Sequence, residues 1–182
     1  MMRGIWTKYI GLIAIGSGVI GALIYLIMIN VTLAHIEAVS GQTPFDMRPL
    51  GYSPADAAAL LNALGSDGSE YYLRYQIPLD TLYPAMLALT LIAAISWFGQ
   101  RMPNSKLVRL GIALSLGAAL FDYGENLGIV AMIRAWPDTS DMLVYAVSIA
   151  TIVKSVLTTL SVSLVLVVGF FWSRLSKAEV HP

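Results

Sequence analysis

Residues 107–133 read LVRLGIALSLGAALFDYGENLGIVAMI, an apolar run interrupted towards its end by two acids and an amide. About 20 such residues form a helix that crosses the hydrocarbon core of a bilayer. A charge at that depth costs at least ~2.5–3.5 kcal/mol, so it usually faces the protein interior and has a partner. We therefore expect Asp122, Glu125 and Asn126 to mark either a functional site or an ion pair that holds the fold.

The composition of the whole chain is that of a membrane protein. Of its 182 residues, 57% are hydrophobic and only 12% are charged, against about 25% in soluble domains. The formal net charge is zero, which gives no basic surface for nucleic acid. The chain has no cysteine and only two histidines, His35 and His181, so the sequence predicts no metal site and names no cofactor.

Four apolar runs are long enough to span a membrane, at about residues 9–33, 79–98, 107–133 and 142–172. The first is too long for the apolar region of a signal peptide, which has ~7–15 residues, and no cleavage motif follows it. We expect one membrane domain, residues 1–182, built as an all-α bundle of four transmembrane helices.

Basic residues indicate how this bundle is oriented. Seven Lys and Arg fall on the side of the chain ends, and three fall on the side of the first loop. The seven are Arg3, Lys8, Arg101, Lys106, Arg109, Arg174 and Lys177, and the three are Arg48, Arg74 and Arg134. The positive-inside rule then predicts that both termini lie in the cytoplasm.

The first loop, about residues 34–78, is predicted to form a small helical cap on the extracytoplasmic side, between the first two spans. Ser53, Pro54 and Asp56 form a helix start, with a serine N-cap, a proline in the first turn and an acid nearby. Three leucines then share one side before a glycine that would end the helix: Leu60, Leu61, Leu64 and Gly65. A second short helix is expected from Ser69, carrying Tyr71, Tyr72, Leu73 and Tyr75. An ordinary ordered loop is the alternative.

Helical geometry brings polar residues of all four spans to one depth. At ~1.5 Å per residue, Glu125 and Lys154 each lie ~27 Å from the cytoplasmic edge, and Asp122 lies ~22 Å from it. Asn126 shares the face of Asp122 and Glu125, while Asp80 opens the second span at this level. We predict a polar cavity here, roofed by the loop helix at residues 53–64. Its candidate residues are His35, Glu37, Asp80, Tyr83, Asp122, Glu125, Asn126 and Lys154, with Asn30 beside them.

Small residues on the third span bear on the shape of this cavity. Deeper in the membrane, four of them share the face of the acids: Gly111, Ser115, Ala118 and Ala119. They would either extend the cavity inward or let a neighbouring helix close it. On the opposite face, Gly124 and Gly128 form a small-xxx-small motif, which favours close helix approach.

Structural roles are open for the same residues. Lys154 can form an ion pair with Asp122 or Glu125 that only fixes helix register. Two carboxylates against one lysine leave an excess negative charge, which calls for a proton, an arginine from the loop or a bound cation.

The remaining polar residues have simpler alternatives. Asp80 can cap a helix that begins at Asp80 or Thr81, with Pro84 in its first turn. His35 can be an interface residue, and Asn126 can be an interhelical hydrogen-bond donor.

Five short motifs resemble, in their order, a family of bacterial four-span membrane proteins. They are Gly51-Tyr52-Ser53, Ala63-Leu64-Gly65, Asp80-x-x-Tyr83-Pro84, Asp122-Tyr123-x-Glu125-Asn126 and Lys154. The similarity covers residues 45 to 160. It implies a bacterial source, and so the inner membrane, and it implies no activity.

Three function classes follow from these patterns. The favoured class is a lipid-binding, small-ligand-binding or membrane-complex assembly protein, with membrane lipid, a partner membrane subunit or a second copy as partner. The second is a lipid-modifying enzyme at the outer leaflet, with Asp122 or Glu125 as base and Lys154 stabilising negative charge. The third is a proton or ion transporter, since intramembrane acids and lysine suit relays.

Overall fold

The computed structural model describes residues 2–102 and 105–174, and in these ranges the protein is helical and has no strand. Lys177 and His181 lie outside the described residues. Within the described ranges, four helices are long and apolar enough to cross a membrane. The predicted all-α four-helix bundle is confirmed, and the protein is of the integral membrane type.

The helices follow one another along the chain with short connections. They are α1 (Met2–Ile27), α2 (Leu33–Ser40), α3 (Pro54–Tyr71), α4 (Ile77–Phe98), α5 (Lys106–Ala135) and α6 (Asp141–Arg174). Short 3-10 turns lie at Phe45–Met47 and Gly99–Arg101. The long helices pack in the order α1, α4, α5, α6, and α4 also touches α6.

Two π-helical turns carry the first two spans into the cap without a break. Met28–Thr32 joins α1 to α2, and Tyr72–Gln76 joins α3 to α4. The two turns are in contact. Thr32 Oγ1 donates a hydrogen bond to Gln76 Oε1 at 2.5 Å, and both side chains are buried. Such turns are frequent at functional sites. No residue pattern in this chain predicts them.

The cap begins as the sequence predicts. Ser53 Oγ accepts from the Asp56 N–H at 3.2 Å, and the Asp56 carboxylate accepts from the Ser53 N–H at 2.9 Å. The leucine face is buried as expected: Leu60, Leu61 and Leu64. Gly65 breaks the helix with φ 59° and ψ −159°. A second helix resumes directly after it and carries Tyr71, as expected. It begins before Ser69 and continues through the π-helical turn into α4 instead of ending as a separate short helix.

This continuity also corrects the start of the second span. Asp80 lies inside α4, which begins at Ile77, and Pro84 is an interior proline. The capping role for Asp80 is therefore wrong. The sequence placed the start at Asp80 because Pro84 suits a first turn, but the real proline of the first turn is Pro78.

The apolar core lies between the cap and the adjacent ends of the bundle. Its buried members come from both parts and include Ile36, Phe45, Leu60, Tyr72, Ile129, Met132 and Val147. Elsewhere the long helices expose apolar side chains, such as Leu127 at 72% and Leu120 at 71%. Such surfaces suit lipid tails rather than water.

The segment before α3 is seated directly on α6. Gly51 has φ +85°, and a Cβ there would lie 2.6 Å from Ser148 Oγ, so only glycine fits. The Tyr52 N–H donates to the same Ser148 Oγ at 2.8 Å. These contacts of Gly51 and Tyr52 with Ser148 hold the turn Phe45–Met47 over the bundle.

Candidate ligand-binding site

Lys154 of α6 lies between the two carboxylates of α5. Its Nζ is 2.9 Å from Asp122 Oδ1, and it also forms an ion pair with Glu125 Oε2. Thr151 lies one turn earlier on α6 and donates to Glu125 Oε1 at 2.7 Å. Glu125 and Thr151 are fully buried, and the Lys154 side chain is 14% exposed. The lysine thus neutralises one carboxylate and is shared with a second.

Asn126 supplies the donor that Pro84 removes from α4, and Tyr123 donates to the next carbonyl along the helix. Proline has no N–H, so the Asp80 carbonyl four residues earlier loses its partner within the helix. Asn126 Nδ2 donates to this carbonyl at 2.7 Å, and the Tyr123 hydroxyl donates to the Thr81 carbonyl at 3.0 Å. The two donors stand three residues apart on one face of α5. They fix the position of Asp80 relative to the ion pair.

A second acidic pair, Asp46 and Asp80, lies beside this ion pair. Asp46 belongs to the turn Phe45–Met47, and its carboxyl group is within hydrogen-bonding reach of the Asp80 carboxyl. Tyr72 donates its hydroxyl to Asp46. Asp80 is only 2% exposed, and its Oδ2 accepts no hydrogen bond from a donor in the described ranges. Two ionised carboxylates repel each other, so this approach requires a shared proton or a cation.

Basic side chains of the loop do not supply that cation. Arg48 donates through Nε to the Thr43 carbonyl at 2.9 Å. Arg74 pairs with Glu70 at 3.2 Å on the exposed surface. Within residues 2–102 and 105–174, neither Asp46 nor Asp80 has a lysine or arginine at ion-pair distance.

A cavity of about 330 Å³ opens next to the acidic pair. Its polar lining is Asp46, Asp80, Tyr83 and Lys154, and its apolar lining is Tyr25, Met28, Ile29, Leu33, Met47 and Pro49. Asp46, Met47 and Pro49 of the loop line it on the side of the cap, whereas the prediction gave this role to the helix at residues 53–64. The loop helix instead packs into the apolar core with its leucine face.

Three predicted neighbours lie away from this cavity. His35 is exposed and packs against Tyr71 in a tilted arrangement, with ring centroids 4.1 Å apart. Glu37 is exposed near the end of α2, and Asn30 donates to the Leu26 carbonyl at 2.8 Å. The prediction placed these residues by depth alone. Depth does not say which side of a helix faces the bundle.

Sequence reasoning missed Asp46 as a member of the site. Asp46 lies outside the predicted spans and in no motif, and its position depends on the contact of Gly51 and Tyr52 with Ser148. Tyr25 was missed because an aromatic residue in an apolar span carries no sign of the cavity beside it.

Towards the membrane interior the site is closed. Below Asp122 the helices leave a hollow of only about 10 Å³ next to Ser115 and Ala118. This is the smallest space that holds one water. Deeper still, Ser115 and Ser161 are hydrogen-bonded at 2.5 Å, and Ile95 fills the space beside Gly111. Of the two predicted outcomes for the small residues, closure by neighbouring helices is the one found.

The glycine motif on the other face of α5 has two different environments. Gly128 touches Val147 of α6, which is a close helix approach. Gly124 has open space at its Cβ position and lines a shallow apolar groove with Leu120, Ala146 and Ala150.

Comparisons with protein-family models, curated proteins and solved structures find no match to this chain. The resemblance to bacterial four-span proteins therefore stays a prediction. Among the described residues, no group of three or more His, Asp and Glu side chains is placed to hold a metal ion.

Proposed function

We propose that this protein binds a small amphiphile, such as a membrane lipid, in the cavity beneath its cap. The observation that carries the proposal is the buried Asp80 carboxyl, which faces the cavity and whose Oδ2 accepts no hydrogen bond from a donor among the described residues. An unsatisfied buried polar atom costs ~1–3 kcal/mol, so native structures supply a partner.

The lining of the cavity fits an amphiphile. Its size of about 330 Å³ and its apolar walls with a few polar groups are typical of small-molecule sites. It lies where the apolar helix surface meets the cap, and Tyr25 on its rim is 46% exposed. A molecule with a polar head and an apolar tail would satisfy both surroundings.

Other predicted functions have less support. A transport path would need space below Asp122, where the helices are closed. The predicted bases of an enzyme, Asp122 and Glu125, are both engaged by Lys154. A lipid-modifying enzyme remains the second candidate on a different observation, because a carboxyl pair such as Asp46 and Asp80 can act as acid and base. A partner subunit and a homo-oligomer stay predictions.

Filling the cavity tests the proposal. Ile29 lines the cavity and Val31, two residues further along the same turn, is 54% exposed. Ile29→Trp should therefore displace the ligand, whereas Val31→Trp should leave it in place. Native mass spectrometry of protein from mild detergent would measure the retained small molecules. We expect retention in the wild type and Val31→Trp, and a loss of at least ~tenfold in Ile29→Trp, which corresponds to about 1.4 kcal/mol.

Two results would overturn the proposal. One is equal ligand retention by the wild type, Ile29→Trp and Val31→Trp, when all three proteins unfold at the same temperature. The other is a wild-type protein that retains no small molecule under conditions where annular lipids are stripped.

We also propose that the protein sits in a bacterial inner membrane with both termini in the cytoplasm. The support is the excess of Lys and Arg on the side of the chain ends. Reporter fusions should place residue 60 outside and residues 104 and 180 inside. An external location of residue 104 would reverse the orientation and put the cavity on the cytoplasmic side.

A further inference from the structure

We infer that the ligand carries a primary ammonium group, bound between Asp46 and Asp80, on a hydrocarbon tail that lies between α1 and α4. The inference rests on the proposed function and specifies its ligand. Two separate features support it, the charge balance of the cavity and a second hollow that shares two lining residues with it.

The charge balance calls for a cation. Four carboxyl groups meet at this site, those of Asp46, Asp80, Asp122 and Glu125, and Lys154 is the one basic group paired with them in the described ranges. Lys154 is already held by Asp122 and Glu125. Buried charge without a partner is strongly unfavourable, so an anionic head next to Asp46 and Asp80 would add to the imbalance.

Hydrogen bonding favours a primary amine over a methylated one. Asp46 Oδ1 and Asp80 Oδ2 are both buried acceptors without a donor. A primary ammonium has three donors on one compact charge, which suits these two oxygens. A trimethylammonium head has none, so it would leave both oxygens unsatisfied even where the aromatic rings of Tyr25 and Tyr83 attract it.

The tail has its own place. A hollow of about 230 Å³ runs between α1 and α4, lined by Gly18, Gly21, Ala22, Leu87 and Thr90. It shares Tyr25 and Tyr83 with the polar cavity, and these two rings stack with centroids 5.6 Å apart where the hollows meet. From Gly18 to Tyr25 the hollow follows α1 for ~10 Å. Polar head and apolar tail therefore have adjoining sites.

A soluble amine could bind the same two carboxyl groups, but it would not occupy the hollow between α1 and α4, which we call the tail groove. Binding of the tail therefore distinguishes a lipid from a soluble amine. The wild-type protein in detergent is titrated with three phospholipids. They have the same acyl chains, and their head groups contain ethanolamine, choline or glycerol. Free ethanolamine is titrated separately. Native mass spectrometry gives the dissociation constants. We expect the ethanolamine lipid to bind at least ~tenfold more tightly than each of the others, and free ethanolamine to bind far more weakly.

Variants divide the head from the tail. Asp80→Asn and Asp46→Asn should each remove the preference for the primary amine, whereas Asp138→Asn, at an exposed carboxylate, should keep it. Ala22→Phe narrows the tail groove and should weaken the binding of all three lipids equally. Leu23→Phe, at the neighbouring residue that is 56% exposed, should change nothing.

The outcomes separate this inference from the proposed function. If Ile29→Trp abolishes lipid binding but the wild type shows no preference for a head group, the inference fails while the proposed function stands. A proton shared by Asp46 and Asp80 would give this result. A preference that survives in both acid variants also overturns it. Free ethanolamine that binds as tightly as the lipid overturns the tail. If Ile29→Trp still binds all three lipids as the wild type does, the proposed function itself is overturned.

Discussion

The two ends of the four-helix bundle bury polar side chains in different ways. At the end away from the cap, Ser115 and Ser161 hydrogen-bond to each other, and the Ser115 hydroxyl also donates to the Gly111 carbonyl at 2.8 Å. At the capped end, charged groups meet around Lys154 beside a cavity of about 330 Å³. The first arrangement is complete within the protein, and the second is not.

The unsatisfied atoms show this difference most clearly. In the described part of the chain, the buried side-chain atoms without a hydrogen-bond partner belong to Asp46, Tyr52, Gln76, Asp80, Glu125 and Asn126. All of them lie at the capped end, and among them Glu125 Oε2 has Lys154 as its ion-pair partner. Buried polar networks that protein groups satisfy act as scaffold, whereas a gap in such a network, next to free space, is where a ligand or water is expected.

Removing the central cation should have the largest effect on this contrast. Lys154→Met leaves two buried carboxylates uncompensated, which should lower the free energy of unfolding by ~3–5 kcal/mol. Equilibrium unfolding in mixed detergent micelles would measure the change. Lys106→Met, at an exposed lysine at the start of α5, serves as the control and should change little.

A second change sharpens this test. Combining Lys154→Met with Glu125→Gln removes one of the uncompensated charges and should recover part of the loss. A neutral Lys154→Met, or a double variant that is less stable than the single one, would contradict an ion pair that matters for folding.

The sequence predicts the fold well because long apolar runs decide it. The four helices and the start of the cap at Ser53 follow from local pattern. The partners of Asp122, Glu125 and Asn126 were foreseeable as a class, since charges at membrane depth require them. Lys154 was predicted as the partner of Asp122 or Glu125, and it pairs with both. The partner of Asn126 was not identified. Asn126 binds a carbonyl that Pro84 leaves free, which depends on Pro84 lying inside α4 rather than in its first turn.

What the sequence could not show depends on contacts between distant segments. Asp46 joins the site because Gly51 and Tyr52 fix its loop on Ser148, almost one hundred residues away in the chain. His35 has the right depth but the wrong side of its helix. Helical phase beyond a π turn cannot be extrapolated from the regular helix before it.

The bond between Asn126 and α4 should give an intermediate effect at the capped end. Asn126→Leu leaves the Asp80 carbonyl buried without a donor, which should cost ~1–3 kcal/mol of unfolding free energy. Pro84→Ala returns an N–H to α4 that can satisfy the same carbonyl. In a double-mutant cycle, Asn126→Leu should then be nearly neutral in the Pro84→Ala background. Additive effects of the two changes would show that Asn126 does not replace the missing helical donor.

The smallest effect is expected at the opposite end, and it tests whether the two ends are independent. Hydrogen bonds between membrane helices average ~0.6 kcal/mol and reach ~1.7 kcal/mol. Ser115→Ala and Ser161→Ala should therefore each lower stability slightly, and the double variant should cost less than their sum. Ser163→Ala, whose hydroxyl bonds only its own helix at the Thr159 carbonyl, is the control. Ligand retention should be unchanged in all of them, because the closed packing below Asp122 separates Ser115 from the cavity. If Ser115→Ala abolished retention without altering the unfolding temperature, the closed end would be part of the site and the division between scaffold and binding end would be wrong.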